Sequence, residues 1–313
     1  MIQEFYYGSS WRWPLPYLPR AMLSWNMCRT LKKAWKIDVP WMMDSGAFSV
    51  ILKHGKYPYS PEEYASGIEK WKPDIAWTMD YPCEPTVREK GQYDPITAQE
   101  MTINNQIRLL DLNINTQMVV QGWEISDYLE NLDKIKEQGL LTERLGIGSI
   151  CRRGQSGQIA RIIRTVKQNV PSWVKLHGFG IKVSVIRNTD AKFYLYSSDS
   201  LSWDYESRYG DWHKGKYNGK TWKDKVPDLQ AYISRIETLL SPVDSLGGFF
   251  VNIRRFVRKN YYYFVPLSMG LYIDAWILPE RFIPVFVVPL LALLGLAGFG
   301  YHDGRYLRCK SEK

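Results

Sequence analysis

Five short apolar runs in this chain end in residues suited to acid–base chemistry or to the recognition of a polar heterocycle. Trp41–Met43 runs into Asp44, Ser45 and Gly46, and Ile75–Met79 runs into Asp80. Gln117–Val120 ends in Gln121 and Gly122, Leu145–Ile147 in Gly148 and Ser149, and Phe193–Tyr196 in Ser197, Ser198, Asp199 and Ser200. Carboxylates and an amide gathered at one place offer donors and acceptors to the edge of a planar base. They also leave carboxylates free for proton transfer and nucleophilic attack. Taken singly, each aspartate reads more readily as the cap of a following helix, but a whole set of polar run ends is harder to explain that way. Gly46, Gly122 and Gly148 stand beside these ends, where glycine often lets a ligand approach the backbone.

Alternating strands and helices would bring these ends together. The runs Phe5–Tyr7, Trp41–Met43, Ile75–Met79, Gln117–Val120, Leu145–Ile150, Val174–Gly178 and Phe193–Tyr196 have strand length. Between them, Pro61–Trp71, Ile96–Leu112, Ile125–Glu137 and Gly157–Gln168 carry apolar residues at helical spacing. Such alternation predicts parallel strands joined by crossovers. About seven such units approach the eight of a TIM-type (β/α)8 barrel, in which the C-terminal strand ends converge on one face. A doubly wound open sheet is the competing architecture, but Gly8, Ser9 and Ser10 after the first run do not make a GxGxxG phosphate loop.

The 313 residues, 45% of them hydrophobic, suffice for one large core and an appendage. Lys and Arg outnumber Asp and Glu 41 to 32, and the net charge of +9 suits a polyanion or an anionic membrane surface. Most of the 13 Trp and 21 Tyr are expected in the core, and their number also permits base stacking. Cys28, Cys83, Cys151 and Cys309 form no CxxC pair, and His54, His213 and His302 are scattered, so no metal and no cofactor is expected. The N-terminus lacks a signal-peptide pattern, which points to the cytoplasm.

The predicted barrel domain is 1–245, followed by a basic and hydrophobic C-terminal extension, 246–313. That extension opens with Arg254, Arg255, Arg258 and Lys259, and its uncharged run 282–301 is about long enough to cross a bilayer. A membrane segment at 282–301 and a tail packed on the barrel or on a partner are both open readings. Pro284 and Pro289 weigh against a continuous helix in a soluble setting, though membranes tolerate proline better.

In order, DSGAF (Asp44–Phe48), the Asp80 run end, VVQG (Val119–Gly122), LGIGS (Leu145–Ser149), HGFG (His177–Gly180) and SSDSLSW (Ser197–Trp203) resemble the tRNA-guanine transglycosylase superfamily. The nearest branch is the one in phages, archaea and their viruses that inserts 7-deazaguanines into DNA. The resemblance spans roughly Gln3 to Gly210. It implies a TIM barrel that exchanges guanine in DNA for a 7-deazaguanine, with Asp199 as the nucleophile of a covalent glycosyl-enzyme ester and Asp44 as general acid/base. Asp80, Gln121 and the backbone around Gly148 and Ser149 would meet the base, together with Ser45 and Gly122, and His177 would line the pocket. The implied partners are DNA and the free base, with tRNA as the alternative substrate. The zinc-binding CxCxxC common in the tRNA enzymes is not in this sequence. The rival readings are a glycoside or nucleoside hydrolase and a non-catalytic nucleic-acid-binding protein.

Arg152 and Arg153 follow the Gly148 run end, where a phosphate backbone would pass a barrel mouth. Arg208 stands close to Asp199 in sequence, and Lys214 and Lys216 lie in a stretch that interleaves basic and aromatic residues. All five are expected phosphate contacts.

Overall fold

The computed structural model describes residues 1–203 and 222–241. Within them lie eight short strands: β1 (Glu4–Gly8), β2 (Ala21–Ser24), β3 (Trp41–Asp44), β4 (Ile75–Ala76), β5 (Val119–Val120), β6 (Arg144–Ile147), β7 (Lys175–Gly178) and β8 (Ser197–Ser200). All pair in parallel, in the order β4-β3-β2-β1-β8-β7-β6-β5. A parallel bridge between Trp77, just past β4, and Gln117, just before β5, links the two ends of that order. Thr78 N–H donates to Gln117 O at 3.0 Å and Gln117 N–H to Ala76 O at 2.8 Å. The strands curl round in chain order as in a TIM-type barrel.

The helices are α1 (Trp25–Cys28), α2 (Ala47–His54), α3 (Pro61–Trp71), α4 (Pro85–Gly91), α5 (Pro95–Asp111), α6 (Ile125–Glu137), α7 (Ser156–Gln168), α8 (Val183–Asn188), α9 (Ala191–Tyr194) and α10 (Val226–Leu240). Several starts are written into the sequence. Ser60 accepts from Glu63 N–H ahead of Pro61, Asp94 accepts from Thr97 N–H ahead of Pro95, and Glu124 with Asp127 forms a reciprocal capping box.

Two elements differ from the sequence expectation. Strand β2 was not among the predicted runs; it is four residues long and passes directly into α1. Phe193–Tyr196, predicted as a strand, instead overlaps α9, and the last strand is the polar segment Ser197–Ser200. Apolar character follows neither burial nor strand identity here. Phe193 is on a helix and exposed, whereas the serines of β8 are buried among polar partners.

Side chains alternate across each strand. One set packs outward under the helices, as Tyr7 does edge-on against Tyr232 of α10 with ring centroids 6.2 Å apart. The inward set includes a cluster of Tyr6, Met22, Met42, Trp77 and Val119, which fills the barrel interior. Among the N-terminal residues of the strands, Arg144 of β6 reaches Glu4 of β1 with Nη1 2.8 Å from Oε2, and Tyr6 OH donates to the same oxygen at 3.0 Å. Among the described residues, no helix is long and apolar enough to cross a membrane. The extension 246–313, with its run 282–301, lies outside the described residues, as do Arg208, Lys214 and Lys216.

Candidate active site

With a period of two, the inward face of β3 carries Met42 and then Asp44, its last residue. In register across the sheet, Asp44 pairs with Ser24 and Asp199 pairs with Tyr6. Asp80 and Gln121 directly follow the β4 bridge region and β5, and Gly148 and Ser149 follow β6. The C-terminal strand ends bring these side chains to one mouth. None of the aspartates is the cap of the next helix: Gly46 holds that position for α2 and Glu84 for α4.

Asp199 is held from one side. Its Oδ1 accepts from Gly180 N–H at 2.8 Å and lies 3.3 Å from His177 Nε2. Gly180 adopts a left-handed φ of +58°, and a side chain there would meet Cys151 Cβ at 2.7 Å. His177 has no exposed surface. Its Nδ1 sits 2.9 Å from Ser197 Oγ, and its ring lies 4.8 Å from that of Trp77 and 4.7 Å from that of Phe179, centre to centre. Both ring nitrogens are thus engaged by protein groups, Nε2 by Asp199 and Nδ1 by Ser197. His177, expected on the pocket wall, lies beneath Asp199 instead and braces it, because its edges are already in use inside the barrel.

Asp44 is the opposite case. Its Oδ1 is buried with no hydrogen-bond partner, and Ser24 Oγ beside it has none of acceptable geometry either. Burial raises its pKa from 3.8 to about 7, and the Asp199 carboxylate is the second cause. The Asp80 charge adds to the rise, while Ser24 and the Gly46 backbone pull the other way and are outweighed.

Asp80 is built into a network. Oδ1 accepts from Ser45 Oγ at 3.2 Å, and Oδ2 accepts from Gln121 Nε2. Ser45 Oγ is 2.8 Å from Tyr57 OH, which donates to Asp80 O at 2.7 Å, and Tyr59 OH donates to Ser45 O. Burial raises Asp80 to about 6, opposed by its Ser45 and Gln121 hydrogen bonds. Gln121 is pinned along its backbone: its N–H donates to Asn131 Oδ1 at 2.8 Å and its O accepts from Gln99 Nε2 at 3.0 Å.

At Gly122 and Gly148 the space beside the backbone is taken up by the protein. A Cβ on Gly148 would stand 2.2 Å from Gln121 Nε2, and one on Gly122 would stand 2.7 Å from Tyr128 N. Both spaces are filled by the protein itself. The Gly148 N–H already donates to Val120 O at 3.0 Å, and its carbonyl accepts from Tyr128 OH at 2.8 Å. Ser149 is buried, in a left-handed conformation (φ +57°) that costs a non-glycine residue about 1 kcal/mol or more.

The two adjacent arginines separate. Arg152 is exposed, with its guanidinium 4.8 Å over the Phe48 ring of α2. Arg153 corrects the expectation of a phosphate contact. It is 2% exposed, stacks 4.0 Å over Trp123, and donates to Ser149 O at 3.1 Å and to Trp123 O. Its hydrogen bonds go to backbone carbonyls, which need an enclosed donor at this loop. Sequence reasoning also missed Glu84, which is buried and 2.8 Å from Ser149 Oγ. Glu84 holds the N-cap position ahead of Pro85, yet its side chain makes no capping bond. Among the described residues, no group of three or more His, Cys, Asp or Glu is placed to hold a metal ion.

The fold and the site define a TIM-type barrel with carboxylates and an amide at its mouth. A family model for deoxypurine in DNA protein A matches residues 20–221, well over half of the chain. The chain belongs to this family of transglycosylase-type enzymes, which modify deoxypurines in DNA. A comparison with curated proteins gives no match.

Proposed function

We propose that the protein exchanges guanine in DNA for a 7-deazaguanine through a covalent ester at Asp199. The observation that carries this reading is the contrast between two neighbouring carboxyls. Asp199 has one oxygen fixed by Gly180 and His177, while Asp44 has a partnerless oxygen and a pKa near neutrality. A braced carboxylate suits a nucleophile, and a carboxyl titrating near working pH suits a general acid/base.

In the first step, an oxygen of Asp199 attacks C1′ of the target deoxyguanosine as the C1′–N9 bond breaks. The electron pair of that bond leaves with guanine, and Asp44 supplies the proton the departing base takes up. The positive charge that builds on the sugar is met by the Asp199 carboxylate, as in glycoside cleavage. In the second step, Asp44 removes a proton from the incoming 7-deazaguanine. The freed nitrogen attacks C1′, and Asp199 departs as a carboxylate. Asp80 accepts from the donor edge of the base, and Gln121 and Ser45 hold Asp80 in place. In a duplex the nucleotide must first leave the stack to reach this mouth, with exposed Arg152 beside the path of its phosphates.

The test is incorporation of labelled 7-deazaguanine into duplex DNA or tRNA by the purified protein. Label in DNA supports the reading, and label in tRNA alone moves the activity to RNA. Release of guanine without incorporation points to hydrolysis.

A further inference from the structure

The buried residue Glu84 has no part in the steps above, but it ends a continuous chain that starts at Asp80. Gln121 Nε2 donates to Asp80 Oδ2, Ser149 Oγ lies 2.6 Å from Gln121 Oε1 and 2.8 Å from Glu84 Oε2, and Cys83 N–H donates to Ser149 Oγ at 2.7 Å.

A serine hydroxyl has one proton and two lone pairs. The Cys83 amide occupies one lone pair. If the proton goes to Gln121 Oε1, Glu84 Oε2 faces the other lone pair and must bring a proton of its own. If the proton goes to Glu84, Gln121 must turn its amide over. Its Oε1 then faces Asp80, which must carry the proton instead. In either arrangement the two carboxyls hold one proton between them, and the amide direction records which end has it.

The remaining donors favour one end. Each carboxyl is also lowered by a hydrogen bond from its own backbone amide; beyond that, Asp80 accepts from Ser45 Oγ, whereas Glu84 Oε1 faces the Cys151 thiol at 3.7 Å, a weak donor. The Arg153 guanidinium opposes a neutral Glu84 through its charge, but its hydrogen bonds are directed to the carbonyls of Ser149 and Trp123.

We propose that Glu84, as a neutral carboxylic acid, is a positioning residue for base recognition: it donates to Ser149, Ser149 to Gln121, and Gln121 to Asp80, which leaves Asp80 an ionised acceptor for the donor edge of a guanine-type base. Burial raises the Glu84 pKa, and Asp80, at about 6, is ionised at neutral pH. The recognition role rests on the function proposed above, whereas the protonation of Glu84 does not.

The first test therefore needs no activity. The infrared difference spectrum between wild-type protein and Glu84→Gln at pH 7 is expected to show loss of a protonated carboxylic acid carbonyl band. Loss of a carboxylate band instead would overturn the proposal. The second test reads base exchange. Glu84→Gln keeps an N–H for Ser149, so KM for the free base should stay near the wild-type value. In Glu84→Ala it should rise about tenfold with a smaller change in kcat. Equal KM values in the two variants would overturn the positioning role. If Glu84→Ala does not fold, Glu84→Met, of similar length and without a donor, replaces it. A wild-type protein that exchanges no base would defeat the proposed function, while the infrared result would still decide the state of Glu84.

Discussion

His177 Nε2 lies 3.3 Å from Asp199 Oδ1, and the imidazole behind that contact has no exposed surface. The carboxylate is therefore oriented from inside the barrel, by a ring itself fixed by Ser197, Trp77 and Phe179. Misplacing a reacting group by about 1 Å can cost on the order of 100-fold in rate. His177→Ala is expected to lower kcat by about that factor with little change in KM for the base. The check is steady-state exchange kinetics together with a melting curve. A change confined to KM would instead return His177 to the pocket wall.

Asp44 and Asp80 set the pH profile. Exchange needs Asp80 ionised, so kcat/KM should rise through about 6, and it needs Asp44 protonated for the first step, so kcat/KM should fall again above about 7. Because the Asp199 charge helps to raise Asp44, Asp199→Asn should lower the Asp44 pKa, which NMR titration of the carboxyl carbon would follow.

The same group bears on stability. The folded-state pKa of Asp44 lies above its ordinary value of 3.8, so the native state holds this proton more tightly than the unfolded chain does. Its ionisation penalty is absent below about pH 4, grows towards pH 7 and is complete above that. Asp44→Asn should therefore stabilise the protein at pH 8, by about 1–2 kcal/mol once solvent at the mouth is allowed for. It should stabilise far less at pH 4 while abolishing exchange. Thermal melts at the two pH values are the measurement.

Gly148 lies against the Gln121 amide, where a Cβ would stand 2.2 Å from Nε2. Gly148→Ala should push Gln121 off Asp80 and raise KM for the base at least about tenfold, with kcat less affected. An unchanged KM would mean that Gln121 has no part in base binding.

The two adjacent arginines should separate in DNA-binding assays. Arg152→Ala should weaken binding across sequences and reduce the salt dependence by about one phosphate contact. Arg153→Ala should leave the salt slope unchanged and cost about 2–3 kcal/mol of stability, because it strips donors from enclosed carbonyls. Fluorescence anisotropy over a salt series, with denaturant melts, distinguishes the two.

The barrel and the residues at its mouth were legible because most strands are apolar runs that stop at a polar residue. Helix α6 begins and ends where its periodicity places it, at Ile125 and Glu137. The pattern failed where the chain serves the site. Strand β8 is Ser-Ser-Asp-Ser, since its Ser197 holds His177, its Ser198 donates to Gly178 O, and its Asp199 faces the mouth. An apolarity rule cannot see such a strand, and it took the neighbouring turn of helix instead. Strand β2 was hidden by its direct passage into α1. The burial of Arg153 and the role of Glu84 were not legible either. Both depend on tertiary contacts, with Trp123 30 residues and Ser149 65 residues away along the chain.

The most direct test of the central claim is transfer of isotope-labelled 7-deazaguanine into duplex DNA, measured side by side for the wild-type protein and Asp199→Asn. The account predicts label in DNA with the wild-type protein, an equivalent release of guanine, and neither with the folded variant. Incorporation that survives Asp199→Asn, or guanine release by the wild-type protein with no label entering DNA, would contradict it.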